Sequence, residues 1–351
     1  MNRRQFLMRG AALGAAAWLP AMDAAARVPR RVGLLGCGQR GIRLLEALNE
    51  LRGAGFPLSV AMVCDTDPDR ARRAAARCGA DTAADPQVMA DPKRLDALVI
   101  ALPDAGHVPA ARAALAAGLP VYLETPVSVT VAEAETLAAD AAATSAPALQ
   151  IGATEIARPE WRFAAEMARA GVLGNVAWCQ SVAAHAPHGA GPGWRGQHGQ
   201  SLGPAAQLHF EQLVPLLAAL ECGPPLRAAS AGGRWNPLSE TPDSLMSSLW
   251  FKNGLEISLV SSPAATTERH PVLRGDRASL EVLPGGVRLY PDDGPAMWIA
   301  APTSAVSPEA LLLADWLDCA ASGRSPLCPA SLGLAAQQGT DMAVAALRPT
   351  A

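Results

Sequence analysis

Three glycines are spaced as in a turn that binds the phosphates of a dinucleotide. Gly36, Gly38 and Gly41 form the pattern GxGxxG between an apolar run and a helical period. The first glycine permits a tight turn, the second lets the backbone approach a pyrophosphate, and the third lets helix pack on strand. The helix start adds free N–H groups that suit phosphates. The same turn holds three further candidate cofactor contacts: Cys37, Gln39 and Arg40.

A carboxylate follows the next apolar run, at 58–64. Asp65 lies 24 residues beyond Gly41, close to the spacing at which an acidic residue accepts the ribose hydroxyls of adenosine. Its charge would also repel a 2′-phosphate, so the sequence favours NAD over NADP. The alternative is that Asp65 is only a loop or capping residue before the helix predicted to start near Pro68.

Candidate acid–base and substrate groups come from the second half of the chain. His209 and Gln212 are three residues apart in a predicted helix over 204–220, so they share one face. Trp194 and Arg195 stand in a glycine-rich segment, where an aromatic face and a planar donor suit a carbohydrate. The alternatives are a histidine that only packs and a solvated loop that contacts no substrate.

Histidines could also ligate a metal. Four of them are close together in the second half: His185, His188, His198 and His209. No carboxylate is interleaved among them and no helical HxxxH pattern occurs, so we expect no metal site.

Strands alternate with helical segments up to about residue 150, which predicts an α/β fold with a parallel sheet. Ligands bind at the carboxyl ends of such strands. The residues that follow two of the predicted strands should therefore face a cofactor cleft: Pro103, Asp104 and His107 after the run at 95–102, and Glu124, Thr125 and Pro126 after the run at 120–123. Shorter strands with Gly-rich and Pro-rich turns then predict a second sheet.

Composition narrows the class of protein. A chain of 351 residues suggests about two domains. The net charge is −3 and no basic run occurs beyond the extreme N-terminus, so a nucleic-acid partner is not expected. The 7 cysteines are scattered without ligand spacing, which argues against a disulfide framework and a structural zinc.

The first 26 residues read as a targeting segment. Arg3, Arg4, Phe6 and Leu7 precede a short apolar run and then three alanines at 24–26, which resembles a twin-arginine signal peptide. The run is too short to span a bilayer, so no membrane association is expected after cleavage. This pattern predicts an exported, periplasmic protein that meets the twin-arginine machinery after loading its cofactor. The alternative is a chance basic and alanine-rich N-terminus.

The chain resembles the glucose-fructose oxidoreductase, inositol dehydrogenase and rhizopine catabolism (Gfo/Idh/MocA) family. The matching blocks occur in the family's order: Gly36–Gly41, Cys64–Pro68, Ala101–Asp104 with His107, Val121–Pro126, Gly152 with Arg158, Gly171–Gly174, Trp194–Arg195, and His209. The resemblance implies a doubly wound Rossmann domain over 27–150. It also implies an α/β domain over 151–351, whose large, mostly antiparallel sheet walls the substrate cleft and often joins subunits into a homo-oligomer.

Two departures from the family occur at positions to which the resemblance assigns catalytic roles. The family's Glu-Lys-Pro reads Glu-Thr-Pro here, with Thr125 in place of the lysine held to assist proton transfer. Its His-x-x-Asp has become His209 to Gln212, which removes a carboxylate. Neither Lys93 nor Lys252, the two lysines of the chain, is placed to replace the missing one, because Lys93 precedes a predicted strand and Lys252 lies in a predicted hairpin turn.

Two functions remain open. The first is an NAD(P)-dependent oxidoreductase acting on a sugar, cyclitol or glycoside with a retained cofactor, in which His209 is the acid–base, Gln212 and Thr125 complete the catalytic site, and Arg158, Trp194 and Arg195 bind substrate. The second is a dinucleotide- or sugar-binding protein that keeps the fold without the chemistry, since losing acid–base help lowers rates by about 10² to 10⁴.

Overall fold

A computed structural model describes residues 30–143, 149–184, 193–263 and 269–347. The predicted signal segment, residues 1–26, lies outside these ranges. So do His185 and His188, two of the four histidines considered as metal ligands.

The first sheet has six parallel strands in the order β3-β2-β1-β4-β5-β6. The order reverses between β1 and β4, which makes a topological switch point at their carboxyl ends. The predicted α/β class with a doubly wound parallel sheet is confirmed. The strands are β1 (Arg30–Leu35), β2 (Leu58–Cys64), β3 (Asp81–Ala83), β4 (Ala97–Ile100), β5 (Val121–Leu123) and β6 (Leu149–Ile151).

Helices link these strands, and local sequence sets their ends. The helix Pro68–Cys78 is capped by the Asp67 side chain, which accepts the N–H groups of Asp69 and Arg70. This helix has Pro68 in its first turn and ends at Gly79, which has a left-handed backbone conformation. The helices of the first half are α1 (Gln39–Gly53), α2 (Pro68–Cys78), α3 (His107–Ala116) and α4 (Val131–Ala143). Among the described residues, no helix is long and apolar enough to cross a bilayer.

The second sheet has eight strands in the order β14-β13-β12-β11-β7-β10-β9-β8. Only β7 and β10 pair in parallel, so the predicted mostly antiparallel sheet is confirmed. The strands are β7 (Val176–Ala183), β8 (Arg227–Gly233), β9 (Ser244–Trp250), β10 (Glu256–Ser261), β11 (Arg269–Gly275), β12 (Ala278–Leu283), β13 (Gly286–Pro291) and β14 (Met297–Ala300).

Four helices complete the described chain: α5 (Pro159–Arg169), α6 (Pro204–Leu220), α7 (Pro308–Ser322) and α8 (Ala330–Ala345). Three of them, α5, α6 and α8, cover one face of the second sheet. Side chains along β9, β10 and β12 alternate between buried and partly exposed, because successive residues of a strand point to opposite faces. No helix of the described ranges covers the other face, which is called the open face.

The end of the chain returns to the first domain. Helix α7 packs on α1, and α8 packs on α4 as well as on α6. The Trp316 ring of α7 meets the Tyr122 ring of β5 edge to face, with centroids 5.9 Å apart. The Ile151 N–H of β6 donates to the Cys328 carbonyl at 2.9 Å. The last 40 or so residues of the described chain therefore belong to the packing of both halves.

Candidate active site

The glycine turn between β1 and α1 leaves room for a phosphate at one position. A Cβ atom at Gly36, where φ is +97°, would overlap the Ala101 carbonyl, and one at Gly41 would overlap the Gly36 carbonyl. Around Gly38, by contrast, no heavy atom lies within 4 Å of where a Cβ would be. Helix α1 starts at Gln39 with no side-chain cap and no acidic residue in its first turn. Its first N–H groups thus fit a pyrophosphate.

The Asp65 carboxylate is fixed at the end of β2 by two backbone donors. Its Oδ2 accepts the Cys37 N–H at 2.7 Å and its Oδ1 accepts the Asp67 N–H at 2.8 Å. The side chain that caps α2 is that of Asp67, so Asp65 is not the capping residue. Each Asp65 oxygen keeps lone-pair capacity for a ribose hydroxyl. The Cys37 thiol is buried, and its N–H is already occupied.

Arg40 lies in the first turn of α1, but its guanidinium is bound to carboxylates. It forms ion pairs of 2.9 Å with both Glu124 and Glu309, and Nη2 donates to the Thr154 hydroxyl at 2.6 Å. Burial opposes its charge, yet these carboxylates hold the pKa of Arg40 above its ordinary value. A Cβ atom at Gly152 would lie 3.0 Å from Glu124 Oε1, so this glycine leaves room for the ion pair.

The residues after β4 and β5 include a buried histidine that joins the two loops. His107 Nδ1 lies 2.7 Å from the Pro126 carbonyl and Nε2 lies 2.9 Å from the Leu102 carbonyl. Both ring nitrogens are therefore engaged by backbone, and the predicted cofactor contact of His107 finds no free nitrogen. Pro103 is exposed and Thr125 is partly exposed at this edge.

His209 and Gln212 face the second sheet. The His209 ring is buried, with Nδ1 3.1 Å from Ser261 Oγ and Nε2 2.7 Å from Ser247 Oγ. Burial lowers the pKa of His209 to about 3, so the ring is neutral. The Gln212 amide donates to Ser261 Oγ at 2.8 Å. This geometry does not bring either residue to the cleft, and the acid–base role predicted for His209 finds no support in it.

The opposite face of α6 carries a polar wall that the sequence analysis missed. Arg195 Nε donates to Gln207 Oε1 at 3.3 Å, and Gln207 Nε2 donates to Glu211 Oε1 at 3.2 Å. The Arg195 guanidinium stacks on the Trp194 ring, 4.4 Å from its centroid. Burial raises the pKa of Glu211 to about 7. The predicted substrate residues Trp194 and Arg195 are thus brought together, with Gln207 and Glu211 as new partners.

This wall faces the carboxyl edge of the first sheet. Glu211 interacts electrostatically with Arg40, Glu124 and Glu155, all of which come from that edge. Helix α6 also contacts the 3-10 helix Thr154–Ala157, which follows β6. The cofactor turn and the polar wall therefore lie close together, and the region between them is named the cleft.

Hydrogen bonds join the glycine-rich segment to the first domain beside this cleft. The Leu202 N–H donates to buried Asp104 at 3.3 Å, and the Ala105 N–H donates to the Gln200 carbonyl at 3.3 Å. Burial raises the pKa of Asp104. Arg158, by contrast, is exposed and paired with Glu155 at 2.7 Å. Its guanidinium is thus engaged by Glu155, a residue of the same edge, and not by the wall of Arg195, Gln207 and Glu211. Within the described ranges, no three His, Cys, Asp or Glu side chains cluster as metal ligands would.

The first half of the chain matches a family model, GFO_IDH_MocA, over residues 30–152; the model is described as an oxidoreductase family with an NAD-binding Rossmann fold. A glycosyl hydrolase family 109 protein of Shewanella amazonensis is 35% identical over 113 residues, which are 29% of this chain and 24% of that protein. An inositol 2-dehydrogenase of Leifsonia xyli subsp. xyli is 30% identical over 152 residues, 43% of this chain and 44% of that protein. The matches span less than half the length of these relatives.

A solved structure extends the likeness to both domains. Levoglucosan dehydrogenase, in complex with NADH, has a TM-score of 0.82 at 16% identity, covering 91% of this chain and 97% of that one. At such identity the likeness shows the fold alone. The matched family supports the cofactor predicted from the glycine turn and Asp65, which is NAD. Residues 30–152 therefore form a Rossmann domain that matches the NAD-binding Gfo/Idh/MocA oxidoreductase family model.

Proposed function

We propose that the protein oxidises a hydroxyl group of a sugar, a cyclitol or a related carbohydrate with NAD⁺. The observation that carries this proposal is that Glu211, one end of the Arg195–Gln207–Glu211 wall, lies within electrostatic reach of Arg40 in the first turn of α1, next to the open position at Gly38. Bound NAD⁺ would accept a hydride from the substrate carbon.

The chain's own residues supply recognition on both sides. The N–H groups at the start of α1 and the Asp65 carboxylate would hold the dinucleotide. Trp194 offers an apolar face to C–H groups, while Arg195 and Gln207 offer planar donors to hydroxyls. Relatives support this substrate class, because their names specify inositol and levoglucosan dehydrogenation.

A second candidate is a binding protein that keeps the fold without turnover. Two observations favour it: Thr125 replaces the lysine that the resemblance leads us to expect, and His209 is closed off by Ser247 and Ser261. Against it, the cleft contains another titratable group, Glu211, whose pKa burial raises to about 7. We therefore favour the enzyme.

The test begins with the purified, folded protein. Its denatured supernatant is analysed for NAD(H), and nicotinamide absorbance is then followed while myo-inositol, levoglucosan, aldoses and glycosides are added. Bound or binding NAD together with a redox response to one of these compounds supports the enzyme. Bound NAD with no response to any compound supports the binding protein, and failure to bind NAD rejects both.

We also propose that the protein is exported by the twin-arginine route with NAD already bound and retained. The support is the pattern of Arg3, Arg4, Phe6 and Leu7 in a segment outside the described residues. Replacing both arginines by lysine should keep the protein inside the cell, as cell fractionation would show. Equal export of the double variant, or rapid loss of NAD on dilution, contradicts the respective half of this proposal.

We propose further that the open face of the second sheet binds a second copy of the chain. Met246 and Trp298 are 55% and 51% exposed on this face. It also carries Arg227 stacked on Trp250, 3.8 Å from the ring centroid, and a carboxylate, Glu256, that accepts the Trp250 indole N–H at 3.1 Å. A surface with apolar, cationic and anionic groups can complement itself across a two-fold axis.

Solution mass tests this interface. Met246→Glu should lower the mass measured by light scattering at micromolar concentration, because it places a charge in an apolar contact. Leu238→Glu is the matched control, since Leu238 is 76% exposed but lies in the loop between β8 and β9. A monomeric wild type would contradict the proposal.

A further inference from the structure

We propose that the Glu211 carboxylate accepts the proton of the substrate hydroxyl during the oxidation. This assignment rests on the proposed function and names the proton acceptor that the missing lysine would otherwise supply. Glu211 is the one ionisable side chain on the cleft face of α6, in a helix whose remaining residues are apolar, neutral polar or the sheet-facing His209.

The geometry holds Glu211 ready for a substrate. Gln207, one helical turn earlier, donates its amide to Oε1 at 3.2 Å and is itself fixed by Arg195. That bond occupies one lone pair of Oε1, so Oε2 is the atom assigned to the substrate hydroxyl. Glu211 is surrounded by protein yet remains partly exposed, as an acid–base group must be.

Other titratable groups around the cleft are committed elsewhere. Glu124 is ion-paired with Arg40, and Asp104 accepts the Leu202 N–H from the glycine-rich segment. His209 is closed off by two serine hydroxyls. The two lysines give no substitute, because both are exposed, Lys93 before β4 and Lys252 in the turn between β9 and β10.

The charges that face Glu211 partly offset one another. Arg40 lowers its proton affinity, whereas Glu155 and Glu124 raise it, and Arg195 also lies within electrostatic reach. Burial is the largest influence, and it raises the pKa of Glu211 to about 7. A base with a pKa near the working pH is both available and strong enough to help remove a proton.

The step balances with NAD⁺ as the oxidant. The substrate C–H bond breaks and its hydride goes to the nicotinamide, the O–H bond breaks and its proton goes to Glu211 Oε2, and the carbon–oxygen bond becomes a carbonyl. NADH, a ketone or lactone and a neutral Glu211 result. Glu211 returns its proton to solvent through the open side of the cleft, or to the carbonyl in the reverse direction.

The main experiment compares Glu211→Gln with Glu135→Gln. Glutamine keeps the shape and the hydrogen bond to Gln207 but cannot accept a proton at neutral pH. Glu211→Gln should lower kcat by about 10² to 10⁴ with NAD⁺ affinity changed less than about threefold, measured by fluorescence titration. Glu135 is exposed on α4, a helix that packs on α3 and α8, and its variant should match the wild type.

Two further readouts separate proton transfer from a structural role. The wild-type kcat/KM for oxidation should rise with pH to a plateau, with an inflection near 7 that Glu211→Gln removes and the shorter Glu211→Asp retains. In protein with ¹³C-labelled glutamate carboxyls, one resonance should titrate with the same midpoint and be missing in Glu211→Gln. This second measurement needs no substrate.

The outcomes distinguish this inference from the proposed function. If the wild type oxidises a carbohydrate but Glu211→Gln keeps its kcat within about fivefold and its pH profile, Glu211 is not the acceptor and the oxidoreductase stands. If the wild type binds NAD⁺ and oxidises nothing in the panel, the function fails first and the assignment fails with it. If Glu211→Gln does not fold, the Glu211→Asp profile and the NMR titration of the wild type decide.

Discussion

The Nε atom of Arg40 lies 2.9 Å from Oε1 of Glu124, which ties the first turn of α1 to the end of β5. The guanidinium also reaches Glu309 at the start of α7, so one side chain joins three elements that meet at the cofactor edge. Removing one partner of such a buried pair leaves carboxylates without compensation, and that is more damaging than losing an exposed ion pair.

We therefore expect Arg40→Met to lower the free energy of unfolding by about 3 to 5 kcal/mol. Urea denaturation measures this directly. Arg73→Met, at an exposed position of α2, is the control and should change it by less than about 0.5 kcal/mol. Equal effects of the two substitutions would show that the Arg40 ion pairs do not stabilise the protein.

A methyl group at Gly38 should weaken NAD binding without harming the fold. The position has ordinary backbone angles and no atom near a future Cβ, so Gly38→Ala should change stability by less than about 1 kcal/mol. The methyl group would occupy the space assigned to the pyrophosphate, and the affinity should fall by tenfold or more, about 1.4 kcal/mol. Calorimetric titration with NAD⁺ measures the loss.

Gly53→Ala provides the matched control for this comparison. Gly53 ends the same helix and also has no heavy atom within 4 Å of a Cβ position, but it lies at the end remote from the glycine turn. Its variant should bind NAD⁺ as the wild type does. If Gly38→Ala also binds normally, the pyrophosphate does not lie against this turn.

Asp65→Asn should relax the preference for NAD over NADP. The amide removes the negative charge that would repel a 2′-phosphate, while one oxygen remains to accept a backbone N–H. The ratio of NADP to NAD affinity should rise by about tenfold or more. Asp67→Asn, which keeps the cap of α2, is the control. An unchanged ratio in Asp65→Asn would reject the ribose assignment.

His209 should make the protein less stable in mild acid. Its folded pKa of about 3 lies below the value of 6.5 for the free side chain, so its contribution is complete above pH 6.5 and is lost as the pH falls from there towards 3. At about pH 5 the loss is about 2 kcal/mol. Glu211 has the opposite sign, because its raised pKa makes the folded state favour the protonated form as the pH falls through 7.

The comparison that isolates His209 uses His209→Asn at about pH 7.5 and about pH 5. Glu211 is present in both proteins, so its contribution cancels in the difference. The stability gap between wild type and variant should shrink by about 2 kcal/mol on acidification. A gap that is the same at both pH values would mean that the ring is not held neutral.

The cofactor half of the site could be predicted from sequence because its geometry is local. Gly36, Gly38 and Gly41 lie within one turn; the first and third make the close backbone approaches that their spacing indicates, and the space at Gly38 is open. Asp65 follows directly from the end of a strand whose apolar run was clear. The ion pairs of Arg40 were harder to predict, because its partners Glu124 and Glu309 lie 84 and 269 residues away in the sequence.

The substrate half of the site depends on how helix α6 is rotated about its own axis, which the spacing of residues in the sequence does not determine. A helix as apolar as α6 is buried on most sides, so its pattern does not reveal which polar face meets the cleft. The family motif directed attention to His209 and Gln212, which turn towards the sheet. A signal for the other face was present: Gln207 and Glu211 are four residues apart, and Glu211 is the only carboxylate of the helix.

The hydrogen bond from Ile151 to Cys328 also bears on how the protein can be made and divided. Strand β6 remains an open edge until the chain just before α8 covers it. The chain must thus be synthesised at least as far as Cys328 and Pro329 before the edge of the nucleotide half is covered. For the same reason a fragment cut near residue 150 would expose β6 as an unpaired edge strand, which is prone to aggregation. A chimera made by exchanging halves with a relative would have to keep helices α7 and α8 together with the first domain.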